Sequence, residues 1–229
     1  MTRRPLKLRL GATPVMALWT GSRDGDQRLV IEGRKLPPRA VPASVTIAGV
    51  HQVHGGDVVR PGCGSTTGAG LLLSADAVIA TDDVTCPVIL VADCVPIAIG
   101  SAEGVRVAVH AGWRGLVAGV LQNSLHSARS AGATSLVAAL GPCIGICCYE
   151  FSPDDLARVE SVLGARVKAV TDRGSPALDL RACALGILES AGVEVCFVEP
   201  SCTSCSPGWY SARARSDVQR QALYVWRAR

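Results

Sequence analysis

Apolar residues along this chain come in short β-branched runs broken by Gly, Pro and Asp, a pattern that predicts several strands before any long helix. Val15 to Trp19 reads as a strand entering the turn Thr20-Gly21-Ser22-Arg23-Asp24-Gly25, and Leu36-Pro37-Pro38 and Val41-Pro42 break any element that follows. The run from Ser44 to Val50 leads into His51-Gln52-Val53-His54-Gly55-Gly56, which places this His pair near a strand end. Gly62 to Gly70 is a Gly-, Ser- and Thr-rich loop. Ala75 to Ala80 is a short strand, and Val88 to Ala92 is a stronger one that ends in Asp93-Cys94-Val95-Pro96. Val105 to Val109 then runs into His110-Ala111-Gly112-Trp113-Arg114-Gly115.

Helical spacing begins after that motif. Leu116 to Ala131 reads as one helix, and a strand from Ser135 to Leu140 meets Gly141-Pro142. Pro153 opens a second helix, with Ser152 as its cap and Asp154 and Asp155 at its positive end. Ala182 to Ala191 is a third, closed by Gly192. Val193 to Val198 and Leu223 to Trp226 are the last strands. No repeat or linker divides the chain, so the expectation is one α+β domain.

Composition narrows the class. A chain of 229 residues with 48% hydrophobic and 18% charged residues can bury a core and is not disordered. Aromatics are only 4%, so Val, Leu, Ile and Ala must fill that core, with Trp113, Trp209 and Trp226 as its few large pieces. The net charge of +4 comes mainly from the ends, Arg3, Arg4, Lys7 and Arg9 at one and Arg213, Arg215, Arg220, Arg227 and Arg229 at the other. Aromatic residues do not interleave with the front cluster, which argues against a nucleic-acid partner. With no run of about twenty apolar residues and no signal-like start, a membrane is not expected as a partner either, and the cytoplasm is. The ten cysteines are therefore read as reduced thiols.

Three metal-capable side chains, His54, Cys94 and His110, each fall at the end of an expected strand. Strand ends hold side chains while loops leave open space before them, so the three can converge. Two imidazoles and a thiolate suit Zn²⁺, and three protein ligands leave a fourth position open, the pattern of a catalytic site. Cys94 and His110 alone also permit a nucleophile pair without metal. Arg114, in a Gly-flanked turn at a helix start, suits an anion such as phosphate, with Arg23 as a second candidate and Arg213 and Arg220 as further ones. Cys143, Cys147 and Cys148 and the Cys202-x-x-Cys205 pair leave a redox pair or a second metal site open.

These segments resemble the family once called multicopper polyphenol oxidases or laccase-like proteins, now associated with purine nucleoside phosphorylase and adenosine deaminase activity. The resemblance rests on Gln52-Val53-His54-Gly55, Ala92-Asp93-Cys94-Val95-Pro96, His110-Ala111-Gly112-Trp113-Arg114-Gly115, Gly141-Pro142-Cys143-Ile144-Gly145 through Cys148-Tyr149-Glu150, and Cys202-Thr203 with Tyr210-Ser211. It implies that His54, Cys94 and His110 are the metal ligands, with zinc as cofactor and copper as the alternative. It implies a layered sandwich of mixed sheets flanked by helices, similar to the cytotoxic necrotizing factor-type cysteine hydrolases. It also implies phosphorolysis of adenosine, inosine, guanosine and methylthioadenosine, and deamination of adenosine. On that reading Cys94 and Arg114 are catalytic, Arg23 and Arg114 bind substrate, and the partners are a nucleoside and phosphate. The chain departs from the family pattern in its short amino-terminal segment, in Gln219-Arg220 for a Gly-Arg motif, and in Tyr210 for Phe. A copper-dependent phenol oxidase and a Cys–His hydrolase editing cell-wall peptides are the rival readings.

Overall fold

The computed structural model describes residues 4–8, 14–61 and 73–228, so the Gly62 to Gly70 loop and the basic residues Arg3, Arg9 and Arg229 lie outside the described residues. Its strands are β1 (Leu6–Leu8), β2 (Val15–Trp19), β3 (Thr46–Ala48), β4 (Val58–Val59), β5 (Ala77–Ala80), β6 (Thr85–Val91), β7 (Val95–Ser101), β8 (Arg106–Ala111), β9 (Leu136–Leu140), β10 (Lys168–Val170), β11 (Pro176–Leu178), β12 (Glu194–Val198) and β13 (Gln221–Arg227). Its α-helices are α1 (Arg28–Ile31), α2 (Trp113–Val117), α3 (Val120–Ser130), α4 (Pro153–Leu163), α5 (Leu180–Ser190) and α6 (Ala212–Arg215).

Two mixed sheets carry the α+β architecture. One has five strands in the order β1-β2-β13-β6-β3, the other six in the order β12-β9-β7-β8-β5-β4, and β10 and β11 form a separate hairpin. Period-two alternation sends opposite faces of the six-stranded sheet to different partners. Ile97, Ile99, Val107, Val109, Leu136 and Leu140 meet Leu121 and Leu125 of α3 and Leu180 and Leu188 of α5. The intervening Ala98, Ala108, Val137 and Ala139 face Val15, Ala17, Ile89 and Leu223 of the five-stranded sheet. Each fully buried branched side chain contributes about 1.5–3 kcal/mol. Small residues on the inner face let the sheets approach closely, and at Gly100 a Cβ would stand 2.9 Å from Val15 Cβ. The outer face of the five-stranded sheet is covered by Val30 and Ile31 of α1.

Two expectations are corrected. The segment read as one helix from Leu116 is two, because Gly119 adopts φ +85 between α2 and α3. The break accommodates the His54 loop: Asn123 Nδ2 donates to Gly56 O at 2.9 Å, and a Cβ on Gly56 would lie 2.4 Å from Ala118 O. Val95 and Pro96, read as the turn that ends the preceding strand, instead open β7, a strand absent from the sequence reading. The capping reading at α4 agrees with the structure: Ser152 Oγ accepts from Asp155 N at 3.1 Å, worth about 1 kcal/mol. Among the described residues no helix is long and apolar enough to cross a membrane.

Candidate metal centre

The six-stranded sheet and the connections that enter it from the five-stranded one bring all three expected ligands to one place. His110 lies within β8, buried, and pairs in register with Pro96 of β7. Cys94 sits immediately before β7 on the tight β6–β7 turn. His54 is in the loop between β3 and β4 at φ +59. Their donor atoms all lie within 4.8 Å of one another, and Cys94 Sγ is 3.9 Å from His54 Nε2. Tetrahedral zinc, at about 2.0–2.1 Å from nitrogen and about 2.3 Å from sulfur, would need donors about 3.3–3.8 Å apart, so a small inward movement closes the set. The His54 and His110 rings meet edge to face at 4.7 Å between centroids.

Asp76 orients two of these ligands, and the sequence reading missed it. His110 Nδ1 and Asp76 Oδ1 are 2.7 Å apart, which leaves the other imidazole nitrogen for a metal. The same carboxylate accepts from the backbone N–H groups of Val53 at 3.2 Å, His54 at 3.0 Å and Gly55 at 2.6 Å. Burial alone would raise the Asp76 carboxyl, but hydrogen bonds from His110 and from the Gly55 and His54 amides outweigh it and hold it below the usual carboxylate range. The available signal was a lone carboxylate heading an apolar strand, which must be paired if buried.

Cys94 is braced from behind. Asp93 takes φ +93, a costly conformation for a residue with a Cβ. Its carboxylate accepts from Thr203 Oγ1 and from Arg213 N at 2.8 Å, and its carbonyl accepts from Ile144 N at 2.9 Å. Gln52 fastens the His54 loop to β6, donating to Leu90 O and accepting from Leu90 N, each at 2.7 Å. Gly112 leaves room beside the ligands, since a Cβ there would lie 2.9 Å from His54 Cδ2 and 3.0 Å from Cys94 Sγ.

Burial would raise the Cys94 thiol, but the charge and hydrogen bonding of His110, and then of His54, bring it down to about 6. Burial likewise opposes a charged His110, yet Cys94 and Asp76 outweigh it and raise that imidazole to about 9. Each group thus favours the charged form of the other, which shifts the sulfur toward its ligating thiolate form. Two imidazoles, one thiolate and a carboxylate behind one imidazole match the donor set and outer shell of a mononuclear zinc site.

A cavity of about 590 Å³ opens onto these ligands, with His51, Gln52, Arg28 and Arg220 among its polar walls and Ile31, Val50 and Leu90 among its apolar ones. Arg114 and Arg23 lie outside this wall: Arg114 stacks on Trp113 at 4.3 Å, and Arg23 is exposed in the 3₁₀ turn Ser22–Asp24. The cations at the cavity are Arg28 and Arg220, both organised by Asp26, which accepts from the Arg28 side chain at 2.7 Å and from Arg220 N at 3.1 Å. Arg213 instead lies over the Tyr149 ring at 5.0 Å. Of the flagged cysteines, Cys147, Cys148, Cys202 and Cys205 come together in a second group, and Cys143, buried and bridged through its backbone to Cys202, keeps its sulfur outside that set.

The family model described as multi-copper polyphenol oxidoreductase laccase matches residues 12–228. A purine nucleoside phosphorylase of Streptomyces coelicolor is 33% identical over 222 residues, covering 95% of this chain and 90% of that protein. The purine nucleoside phosphorylase YfiH of Escherichia coli is 31% identical over 181 residues, 77% of this chain and 72% of that one. The fold resembles YlmD of Geobacillus stearothermophilus, with TM-score 0.78 at 23% identity over 100% of this chain and 98% of that one. It also resembles YfiH of Bacillus licheniformis, with TM-score 0.80 at 20% identity over 95% and 98%. With a match across nearly its whole length, this chain belongs to the multi-copper polyphenol oxidoreductase laccase family.

Proposed function

We propose that the chain is a zinc-dependent purine nucleoside phosphorylase, acting on adenosine, inosine, guanosine or methylthioadenosine with phosphate, and that it also deaminates adenosine. One observation carries the reading: a His₂Cys donor set converges at the wall of a cavity with both cationic and apolar surfaces. The names of the relatives support the phosphorylase part of this reading. His54, Cys94 and His110 would hold the ion, which when bound supplies a Lewis acid with one open coordination position.

The chain's own residues do the rest. Arg28 and Arg220 face the cavity as the cations for phosphate, in place of the Arg114 and Arg23 expected from local sequence. Ile31, Val50 and Leu90 offer an apolar face to a purine and exclude water from it. In phosphorolysis a phosphate oxygen bonds to ribose C1′ as the bond from C1′ to the purine nitrogen breaks. The electron pair leaves on the base, which then takes up a proton, and His51 in the same wall is the group we assign to give it. In deamination water replaces the amine, releasing inosine and ammonia. We place the protein in the cytoplasm, where reducing conditions keep its thiols available to metal.

A phenol oxidase with several copper centres is less well supported, because the described residues offer one His₂Cys set and one all-cysteine set. The test is chromatography of adenosine and inosine incubated with zinc-loaded protein. Free base and ribose 1-phosphate that appear only with phosphate, and inosine that appears from adenosine without it, are expected. Copper uptake with phenol oxidation, or activity that survives chelation but not Cys94→Ser, would overturn the reading in favour of the oxidase or the Cys–His hydrolase.

A further inference from the structure

Two segments far apart in sequence present four thiols to one point. Cys147 and Cys148 lie on the turn that follows β9, and Cys202 and Cys205 on the loop that follows β12. Their sulfurs all lie within 4.8 Å of one another, with Cys148 Sγ 3.3 Å and Cys147 Sγ 3.6 Å from Cys205 Sγ. A tetrahedral zinc tetrathiolate, with Zn–S about 2.3 Å, has sulfurs about 3.8 Å apart, in the middle of that spread. An iron–sulfur cluster is several atoms wide and would have to drive the thiols outward.

The surroundings suit a metal-bound sulfur. Gly145 N–H donates to Cys202 Sγ at 3.1 Å, and the Ser204 and Cys205 amides turn to the same sulfur. Gly145 has to be bare: a Cβ there would lie 3.1 Å from Cys202 Cβ and 3.2 Å from Cys147 Sγ. Four thiolates around Zn²⁺ carry a net charge of −2. Arg173 and Arg213 share a cavity wall with Cys147 and Cys148, and Arg215 donates to Ser204 O and Thr203 O, so cations are already at hand.

We propose that Cys147, Cys148, Cys202 and Cys205 form a second, structural zinc site, closed by four thiolates and separate from the His54–Cys94–His110 centre. Binding consumes no oxidant: each thiol gives up its proton as its sulfur bonds to the ion. The site fastens the Cys202 loop to the Cys147 turn. Thr203 of that loop holds Asp93, so the second ion braces the backbone that aims Cys94. The inference stands whatever the protein's substrate is.

Zinc content by elemental analysis and native mass spectrometry tests it on full-length protein purified under reducing conditions. Two zinc ions per wild-type chain are expected, one in the Cys202→Ser/Cys205→Ser variant, and one in the His54→Ala/His110→Ala variant. Should the cysteine variant fail to fold, Co²⁺ loading of wild type decides: charge-transfer absorption as strong as five Co–thiolate bonds supports the site, and absorption worth one overturns it. A single zinc per wild-type chain that persists in the Cys202→Ser/Cys205→Ser variant, bound iron and sulfide, or an intact mass two hydrogens light from a disulfide among these cysteines also overturns it.

Discussion

His110 Nδ1 lies 2.7 Å from Asp76 Oδ1, and the carboxylate that fixes this imidazole also gathers the amides of the His54 loop, so one buried side chain aims two metal donors from different parts of the chain. In Asp76→Asn the amide nitrogen would face either the imidazole donor or the loop N–H groups, and one set would lose its acceptor. Zinc affinity should fall about 10- to 100-fold, as measured by competition with a chromophoric chelator. An unchanged affinity would show that the carboxylate does not support the metal.

Gly112 predicts a defect of space, because its backbone is ordinary and only the neighbouring ligands forbid a side chain. Gly112→Ala should lose metal affinity and phosphorolysis while the melting temperature of the metal-free protein stays within a few degrees of wild type. A large drop in metal-free stability would place its role in folding instead.

The cavity cations should separate from those suggested by local sequence. Removing a charged hydrogen bond costs about 1.5–3 kcal/mol, so Arg220→Ala should raise the KM for phosphate at least about tenfold. Arg114→Ala and Arg23→Ala, outside the cavity wall, should leave it within about twofold of wild type if the arginines at Asp26 bind the anion. Steady-state kinetics at varied phosphate decides, and the reverse ranking would return the anion to Arg114.

Acid should act on Asp26. Burial would raise this carboxyl, but hydrogen bonds from the Arg28 side chain and from the Arg220 and Arg28 amides outweigh it and lower it. A group lowered in the folded state lends stability that is full above its unfolded value, near about 3.9, and is lost as pH falls through its folded value. Between roughly pH 5 and pH 3 wild type should therefore lose more stability than Asp26→Asn, which has no such proton to take up. Urea titrations of both proteins across that range, with parallel losses, would remove Asp26 from the acid response.

The sequence made the ligands legible because they sit in distinctive short blocks at breaks in the apolar pattern, and the structure brings His54, Cys94 and His110 together. It hid what depends on distant partners. Asp76, inside the run Ala75 to Ala80 read as a strand, and Arg28 acquire their roles only through distant contacts, Asp76 with the His54 loop and Asp26 with Arg28 and Arg220. The strand β7 was masked by Pro96, since a proline after a turn reads as its continuation. Gly119 was absorbed into a helical pattern because its role is to let Gly56 approach, a contact across more than sixty residues of chain. The cysteine clusters were each visible, but nothing local says that Cys148 and Cys205 meet.

One device remains with no share in the chemistry. Arg106 of β8 is wholly buried, and its guanidinium donates to Thr85 O at 2.6 Å, to Gly104 O at 3.0 Å and to Asp82 O. Thr85 opens β6 in the other sheet, so this permanent cation rivets the two sheets together. Peeling them apart would strand a charge in hydrocarbon before water could reach it. The sandwich is thereby expected to melt as one cooperative body, and His54, Cys94 and His110, set on β8 and on connections between the two sheets, would lose their alignment only when it does.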